Sequence, residues 1–61
     1  MTKVSIINDK KLGDIIIIED VSNKYFLAYR KNEPKIKIKE QTIEKVIEEL
    51  RRIYKRMHEI E

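Results

Sequence analysis

The 61-residue chain contains no cysteine and no tryptophan, and only one glycine, one proline and one histidine. The absence of cysteine excludes a disulfide framework and a thiolate zinc site, two common supports of very small domains. A single glycine excludes a glycine-rich phosphate-binding loop. Because a chain this short buries only about 60% of the surface that its unfolded form exposes, we expect oligomerisation to add stability.

Long hydrophobic runs are also absent. No segment approaches the roughly 20 apolar residues that cross a bilayer, and the N-terminal apolar run is too short for a signal peptide. We therefore expect a cytoplasmic protein with no membrane contact. The composition, 41% charged and rich in Lys, Glu and Ile, is typical of thermophile proteins, although an AT-rich genome produces the same bias.

The net charge of +3 is unevenly distributed along the chain. Residues 1–23 have a net charge of −1, whereas residues 24–39 carry six basic residues against Glu33 alone, a net of +5. Acidic and basic residues balance in residues 41–61. This concentration of positive charge indicates an anionic partner more directly than the overall isoelectric point does.

Hydrophobic periodicity predicts four strands and one helix. Apolar residues that recur at short intervals between turn residues predict strands at about residues 3–7, 14–19, 24–30 and 35–39. Pro34 lacks an amide donor and is expected at the start of an edge strand. The fold class is therefore α+β, a four-stranded antiparallel meander followed by one long C-terminal helix (ββββα).

The helix is predicted over residues 42–60, where the apolar residues follow a period of 3.6. Thr42 is the expected N-cap. Glu48 and Arg52 are spaced to form an ion pair on the helix surface. The helix should be longer than strands of five to seven residues, so that part of its apolar surface extends beyond the sheet.

The central strands are apolar on both faces. Two of the four isoleucines at 15–18 point each way, and Tyr25, Leu27 and Tyr29 alternate with Phe26 and Ala28. One helix covers only one face, so the sheet must either curl into a small barrel or pair with a second copy. We favour a homodimer, with an interface that contains Ile16, Ile18, Ile53, Met57 and Ile60.

No residue pattern indicates catalysis or metal binding. The only histidine, His58, lies on the charged side of the predicted helix, and the acids of residues 9–20 flank turns, where they serve local hydrogen bonding. We expect no enzymatic activity, no metal and no cofactor. A perturbed carboxylate in a cleft would be needed to support an enzyme.

Nucleic acid is the partner that the basic segment favours. Along 35–39 the lysines should face one way at intervals of about 6.6 to 7 Å, a spacing that suits successive phosphates of an extended single strand. Neighbouring aromatic rings could stack on bases. The predicted binding residues are Lys24, Tyr25, Tyr29, Arg30, Lys35, Lys37 and Lys39. Edge-strand lysines can equally serve to prevent aggregation.

The segment "FLAYR" (26–30) and the following "PKIKIKEQTIEKVIEEL" resemble the positive-cofactor-four family of single-stranded-DNA-binding coactivators. The resemblance implies a dimer in which Arg30, Lys35, Lys37 and Tyr25 or Tyr29 line a single-strand groove. Ala28 stands where the family has Asp, and the connection before the last strand is shorter.

Two hypotheses follow from these patterns. The first is a homodimeric protein that binds nucleic acid, preferably single-stranded. The second is a protein-interaction module, such as a small viral or plasmid-type adaptor or inhibitor, whose excess apolar surface docks on an unidentified protein partner.

Overall fold

The computed structural model describes the backbone of residues 1–60 and the side chains of residues 1–58. Four strands precede one helix, which confirms the predicted ββββα fold. Each strand is close to its predicted position, but three of the four have eight residues. The elements are β1 (Thr2–Asp9), β2 (Gly13–Asp20), β3 (Tyr25–Arg30), β4 (Glu33–Glu40) and α1 (Ile43–Ile60).

The strands form one antiparallel sheet in the order β1-β2-β3-β4. β1 and β4 are its edges, so within residues 1–60 the sheet is open and does not close into a barrel. Pro34 is the second residue of the edge strand β4, as expected for a residue without an amide donor. The β3–β4 pairing contains an irregularity between Ala28 and Arg30.

The turns are held by short polar side chains. One carboxylate oxygen of Asp9 accepts hydrogen bonds from the backbone N–H groups of Lys11 and Leu12, both at 3.0 Å. Gly13 follows with φ +79°, a left-handed conformation that glycine adopts most readily. Asp20 fixes the next turn in the same way through the backbone and side chain of Asn23.

The core lies between α1 and one face of the sheet. The helix packs mainly over β3 and β4. Its most buried residues are Val46, Leu50 and Tyr54, which meet Ile15 and Ile17 of β2. The two isoleucines are 0% and 1% exposed, so one half of the four-isoleucine run belongs to the chain's own core.

Local interactions explain where α1 begins. The Thr42 hydroxyl accepts a hydrogen bond from Lys45 N–H at 3.1 Å, which confirms the predicted N-cap.

The predicted Glu48–Arg52 pair is wrong, because Arg52 instead pairs with Glu49 at 3.0 Å. In that pairing the carboxylate lies three residues before the guanidinium, a spacing that also brings side chains together on a helix.

The predicted difference in length between helix and strands is largely absent. Eight-residue strands span about 26 Å, and the 18-residue helix spans about 27 Å. Met57 is nevertheless 40% exposed, because the core-facing surface of α1 ends at Tyr54. Within residues 1–60 no helix has the length and apolar character needed to span a membrane.

Candidate nucleic-acid interface

The strand register divides the sheet into a helix-facing side and an open side. Directly paired residues of an antiparallel sheet share a face. Ile17 pairs with Ala28, and both are buried under α1. The alternate residues Ile16 and Ile18 therefore point to the opposite face, where they pair with Tyr29 and Leu27.

This open face has two chemically different halves. On β1 and β2 it is aliphatic, because Val4 pairs with Ile18 and Ile6 pairs with Ile16. Val4 is 67% exposed and Ile6 is 60% exposed. We call Val4, Ile6, Ile16 and Ile18 the aliphatic half of the open face. On β3 and β4 the same face carries Leu27 together with tyrosines and lysines. We call the tyrosines and lysines the aromatic-basic half: Tyr25, Tyr29, Lys37 and Lys39.

Each tyrosine of the aromatic-basic half is paired with a lysine. The Lys37 Nζ lies 5.6 Å from the ring centroid of Tyr29, and the Lys39 Nζ lies 4.3 Å from that of Tyr25. Both distances allow cation–π attraction. The sequence prediction that β4 lysines lie beside β3 tyrosines agrees with this geometry.

The lysines of β4 have no carboxylate partner among the described residues. The ion pairs within 4.0 Å are Arg30–Glu33, Lys45–Glu49, Arg51–Asp9 and Arg52–Glu49. Lys35, Lys37 and Lys39 are all exposed. Their charge is therefore available to an external anion.

Lys24 lies at the end of the aromatic-basic half. It has φ 57°, an uncommon conformation for a residue with a side chain. Together with Tyr25 and Lys39 it lines a pocket of about 640 Å³, which also includes Glu40. The structure thus brings Lys24 to the other predicted basic and aromatic residues.

An acidic residue limits the same end of the face. Asp20 pairs with Tyr25 across β2 and β3. Hydrogen bonds from Asn23 lower the pKa of Asp20, so this carboxyl group is ionised at neutral pH. The hydrogen bond to Asp20 in turn raises the pKa of Tyr25. A phosphate would be repelled here, so the surface around Tyr29 and Lys37 is the more favourable for an anion.

Arg30 is separated from the other predicted binding residues. It pairs with the fully buried Ile15 and so belongs to the helix-facing side. Its Nε donates to the Leu12 carbonyl oxygen at 2.9 Å, and its guanidinium carbon lies 4.7 Å from the Tyr54 ring centroid. Glu33 is 3.7 Å away. The alternation that directs Phe26 and Ala28 toward the helix also predicts this direction for Arg30.

The predicted dimer-interface residues occupy two separate surfaces. Ile16 and Ile18 are half-buried on the open face, whereas Ile53 and Met57 belong to α1 on the other side of the sheet. One flat contact cannot contain all four. The side chain of Ile60 lies outside the described residues.

Asp9 makes a long-range contact that the sequence pattern did not reveal. Its turn-forming role is as expected, but its second carboxylate oxygen accepts hydrogen bonds from Arg51 Nε, at 3.0 Å, and from Arg51 Nη2. The Arg51 guanidinium lowers the pKa of this carboxyl group. Asp9 is only 6% exposed. No spacing rule links residues 42 positions apart, so only the fold could bring them together.

Among the described residues, no three His, Asp or Glu side chains are grouped so that they could hold a metal ion.

Comparisons with protein-family models, curated proteins and solved structures found no significant match to this chain.

Proposed function

We propose that this protein binds single-stranded nucleic acid across the aromatic-basic half of the open sheet face. The observation that supports this proposal most directly is the pairing of Lys37 with Tyr29 and of Lys39 with Tyr25 on one exposed surface. Ammonium groups attract phosphates, and tyrosine rings stack on bases of any sequence. Arg30 takes no part, because its guanidinium is engaged on the helix-facing side.

The magnitudes of the competing interactions permit a nucleic-acid base to replace a lysine on a tyrosine ring. An exposed cation–π contact contributes about 0.5 to 1 kcal/mol, whereas stacking of a base on an aromatic ring contributes about 1 to 3 kcal/mol. A base can therefore displace a lysine from its ring, and the displaced ammonium group can move to a phosphate. Lys37 is the farther of the two lysines from its ring, so Tyr29 should accept a base most easily.

Single strands suit this surface better than duplexes. Bases in a duplex are stacked on one another, so a ring on a sheet cannot reach their faces without opening the helix. In a single strand the faces are accessible, and the backbone can follow a row of lysines. The expected specificity is for strandedness and not for sequence. The resemblance to the positive-cofactor-four family implies the same preference.

We also propose that the protein is a homodimer in which the aliphatic half of the open face pairs with a second copy. Val4 and Ile6 are too exposed to be explained by the chain's own core. Contiguous apolar surface of this kind marks interaction sites in soluble proteins. Contact through β1 and β2 would leave the tyrosines and lysines of both copies accessible.

Fluorescence anisotropy with a labelled oligonucleotide tests the binding proposal. The double variant Lys37→Ala/Lys39→Ala should weaken binding and reduce its dependence on salt, because each lost phosphate contact lowers the slope by about 0.7 for a single strand. Tyr29→Ala should weaken binding without changing that slope. Lys10→Ala, an exposed lysine of the β1–β2 turn, is the matched control.

Two results would contradict the proposal. One is the absence of salt-sensitive binding at about 50 mM salt, where phosphate-driven association is easiest to detect. The other is equal affinity of the Lys37→Ala/Lys39→Ala protein and the Lys10→Ala control.

A protein-interaction module is the second candidate, and the exposure of Val4 and Ile6 favours it. In this case the aliphatic half would contact a foreign protein instead of a second copy. Analytical ultracentrifugation distinguishes the two. A dimer that Ile6→Lys converts to a monomer supports self-association, whereas a strict monomer contradicts the homodimer and favours a foreign partner.

A further inference from the structure

A second basic region lies on the helix-facing side of the molecule, away from the open sheet face. A pocket of about 680 Å³ opens between the β1–β2 turn, the end of β3 and the second half of α1. Its volume is within the range of small-molecule sites, about 300 to 1,000 Å³. Leu12 and Tyr54 contribute apolar surface. Its basic lining residues are Lys11, Arg30, Arg51, Arg52, Lys55 and His58.

The lining contains no carboxylate among the described residues. Three carboxylates pair with lining arginines from outside the pocket, and these are Asp9, Glu33 and Glu49. Set against the five formal positive charges of the lining lysines and arginines, they leave an excess of at least two, because Glu49 is shared with Lys45. An excess of two positive charges matches a phosphate monoester, which carries nearly two negative charges at neutral pH.

The arginines are already oriented by the fold. Arg51 is fixed by Asp9, and Arg30 is fixed by the Leu12 carbonyl oxygen and the Tyr54 ring. A guanidinium has five N–H donors, so these contacts leave donors for a ligand. Groups that are held in place before binding lose little freedom when a ligand arrives.

Stabilisation of the helix does not account for all the basic residues that line the pocket. The C-terminal end of α1 carries the partial negative charge of the helix dipole, which repels anions. Cations near that end offset this charge. Lys11 and Arg30, however, come from the β1–β2 turn and from β3. Lys11 has no ion-pair partner among the described residues, so its position beside the pocket has no structural role of that kind.

Two features favour a ligand with a planar ring as well as a phosphate. The Arg30 guanidinium lies over the Tyr54 ring and forms part of the pocket wall, and guanidinium planes are surfaces on which bases stack. Tyr54 is also 3% exposed, and its hydroxyl lies beside the Glu33 carboxylate and the Arg30 guanidinium without a hydrogen bond of normal geometry to either. An acceptor oxygen close to Arg30 would satisfy that donor.

We propose that this pocket binds a nucleoside monophosphate, with the phosphate between Lys11 and Lys55 and the base against Arg30. The site is distinct from the aromatic-basic half of the open face, because the register directs Arg30 and Tyr29 to opposite sides of the sheet.

NMR titration of the ¹⁵N-labelled full chain tests this proposal, with adenosine monophosphate, adenosine and inorganic phosphate as separate probes. We expect saturable shifts of the Lys11, Leu12 and Arg30 amides with adenosine monophosphate, and affinities at least about tenfold lower for the two fragments. Lys11→Ala and Lys55→Ala should each lower the affinity about threefold, and the double variant about tenfold. Lys10→Ala should leave it unchanged.

The variants also separate this site from the proposed function. Lys37→Ala/Lys39→Ala should weaken oligonucleotide binding and leave the adenosine monophosphate titration unaltered. The proposal is overturned if no shifts occur at millimolar ligand, if adenosine binds as tightly as its monophosphate, or if the Lys11→Ala/Lys55→Ala protein retains full affinity. Shifts confined to Tyr29 and Lys37 would overturn it too, while supporting the open face.

Discussion

Removal of the Asp9 side chain tests how the helix is attached to the β1–β2 turn. Asp9 is the only buried charged residue among those described. Its carboxylate accepts hydrogen bonds from two backbone N–H groups of the turn and from the Arg51 side chain. Asp9→Ala removes all of these acceptors at once.

The expected cost follows from the exposure of each donor. The Leu12 N–H is buried and would be left without a partner, at a cost of about 1 to 3 kcal/mol. The Lys11 N–H is only partly buried, and the Arg51 side chain is 53% exposed, so water can replace part of what both lose. We expect Asp9→Ala to lower the free energy of unfolding by about 2 to 3 kcal/mol.

Asp9→Asn distinguishes the effect of the negative charge from the effect of the hydrogen bonds in the turn. The amide keeps an oxygen for the turn N–H groups but loses the negative charge, so about 1 kcal/mol should be lost. Because the folded-state pKa of Asp9 is lowered, its contribution is present above the unfolded value of about 3.9 and disappears as the pH falls through the folded value. The difference between the wild type and Asp9→Asn should therefore be complete at pH 7 and smaller at pH 3.

Urea unfolding followed by far-ultraviolet circular dichroism measures both effects. A domain of this size has a stability of about 3 to 9 kcal/mol and a urea dependence of about 1 kcal/mol per molar. Asp9→Ala should consequently move the midpoint by about 2 to 3 M. All proteins must be compared at one concentration, since the stability of a dimer depends on it.

Asp14→Asn is the matched control, because Asp14 is exposed and its Oδ1 accepts one hydrogen bond, from Asn8 at 2.9 Å. Its effect should stay within about 0.5 kcal/mol. A midpoint for Asp9→Ala equal to that of Asp14→Asn would refute the reasoning. So would a difference between the wild type and Asp9→Asn that grows on acidification.

Substitutions at three further positions test single features of the fold by the same urea assay. Gly13→Ala should destabilise by about 1 kcal/mol although nothing lies within 4 Å of the added methyl group, because φ is +79°; a neutral result would contradict the backbone explanation. Thr42→Ala should cost about 1 kcal/mol through loss of the N-cap, and Thr42→Ser should restore most of it. Tyr54→Phe removes a buried hydroxyl that has no hydrogen bond of normal geometry, so stability should be unchanged or higher; a loss above about 1 kcal/mol would show that its contact with Glu33 stabilises the fold.

Local pattern was sufficient to predict most of the fold. Period-two and period-3.6 hydrophobicity reflect the geometry of strands and helices directly, so the order of elements and the Thr42 cap could be predicted. Strand ends were less accurate. Charged residues such as Asp9 and Glu33 extend the ladders of backbone hydrogen bonds without contributing to the apolar pattern.

Alternation along each strand also determined which residues share a face, and hence that Tyr25 and Tyr29 lie together. Only tertiary structure decided which of those faces the helix would cover. Either pair within the four-isoleucine run could have been buried, because all four side chains are chemically identical. The helix covers the face that contains Ile15 and Ile17. Arg30 lies on that same face, opposite the one that carries the β4 lysines.

The contacts between distant segments were likewise beyond the sequence. Asp9 meets Arg51, and Lys11 shares a pocket with Lys55, because the β1–β2 turn and the second half of α1 are brought together by packing of the core. Periodicity reports the direction of a side chain relative to its own element. It contains no information about the neighbouring element, which depends on how the whole chain buries its apolar surface.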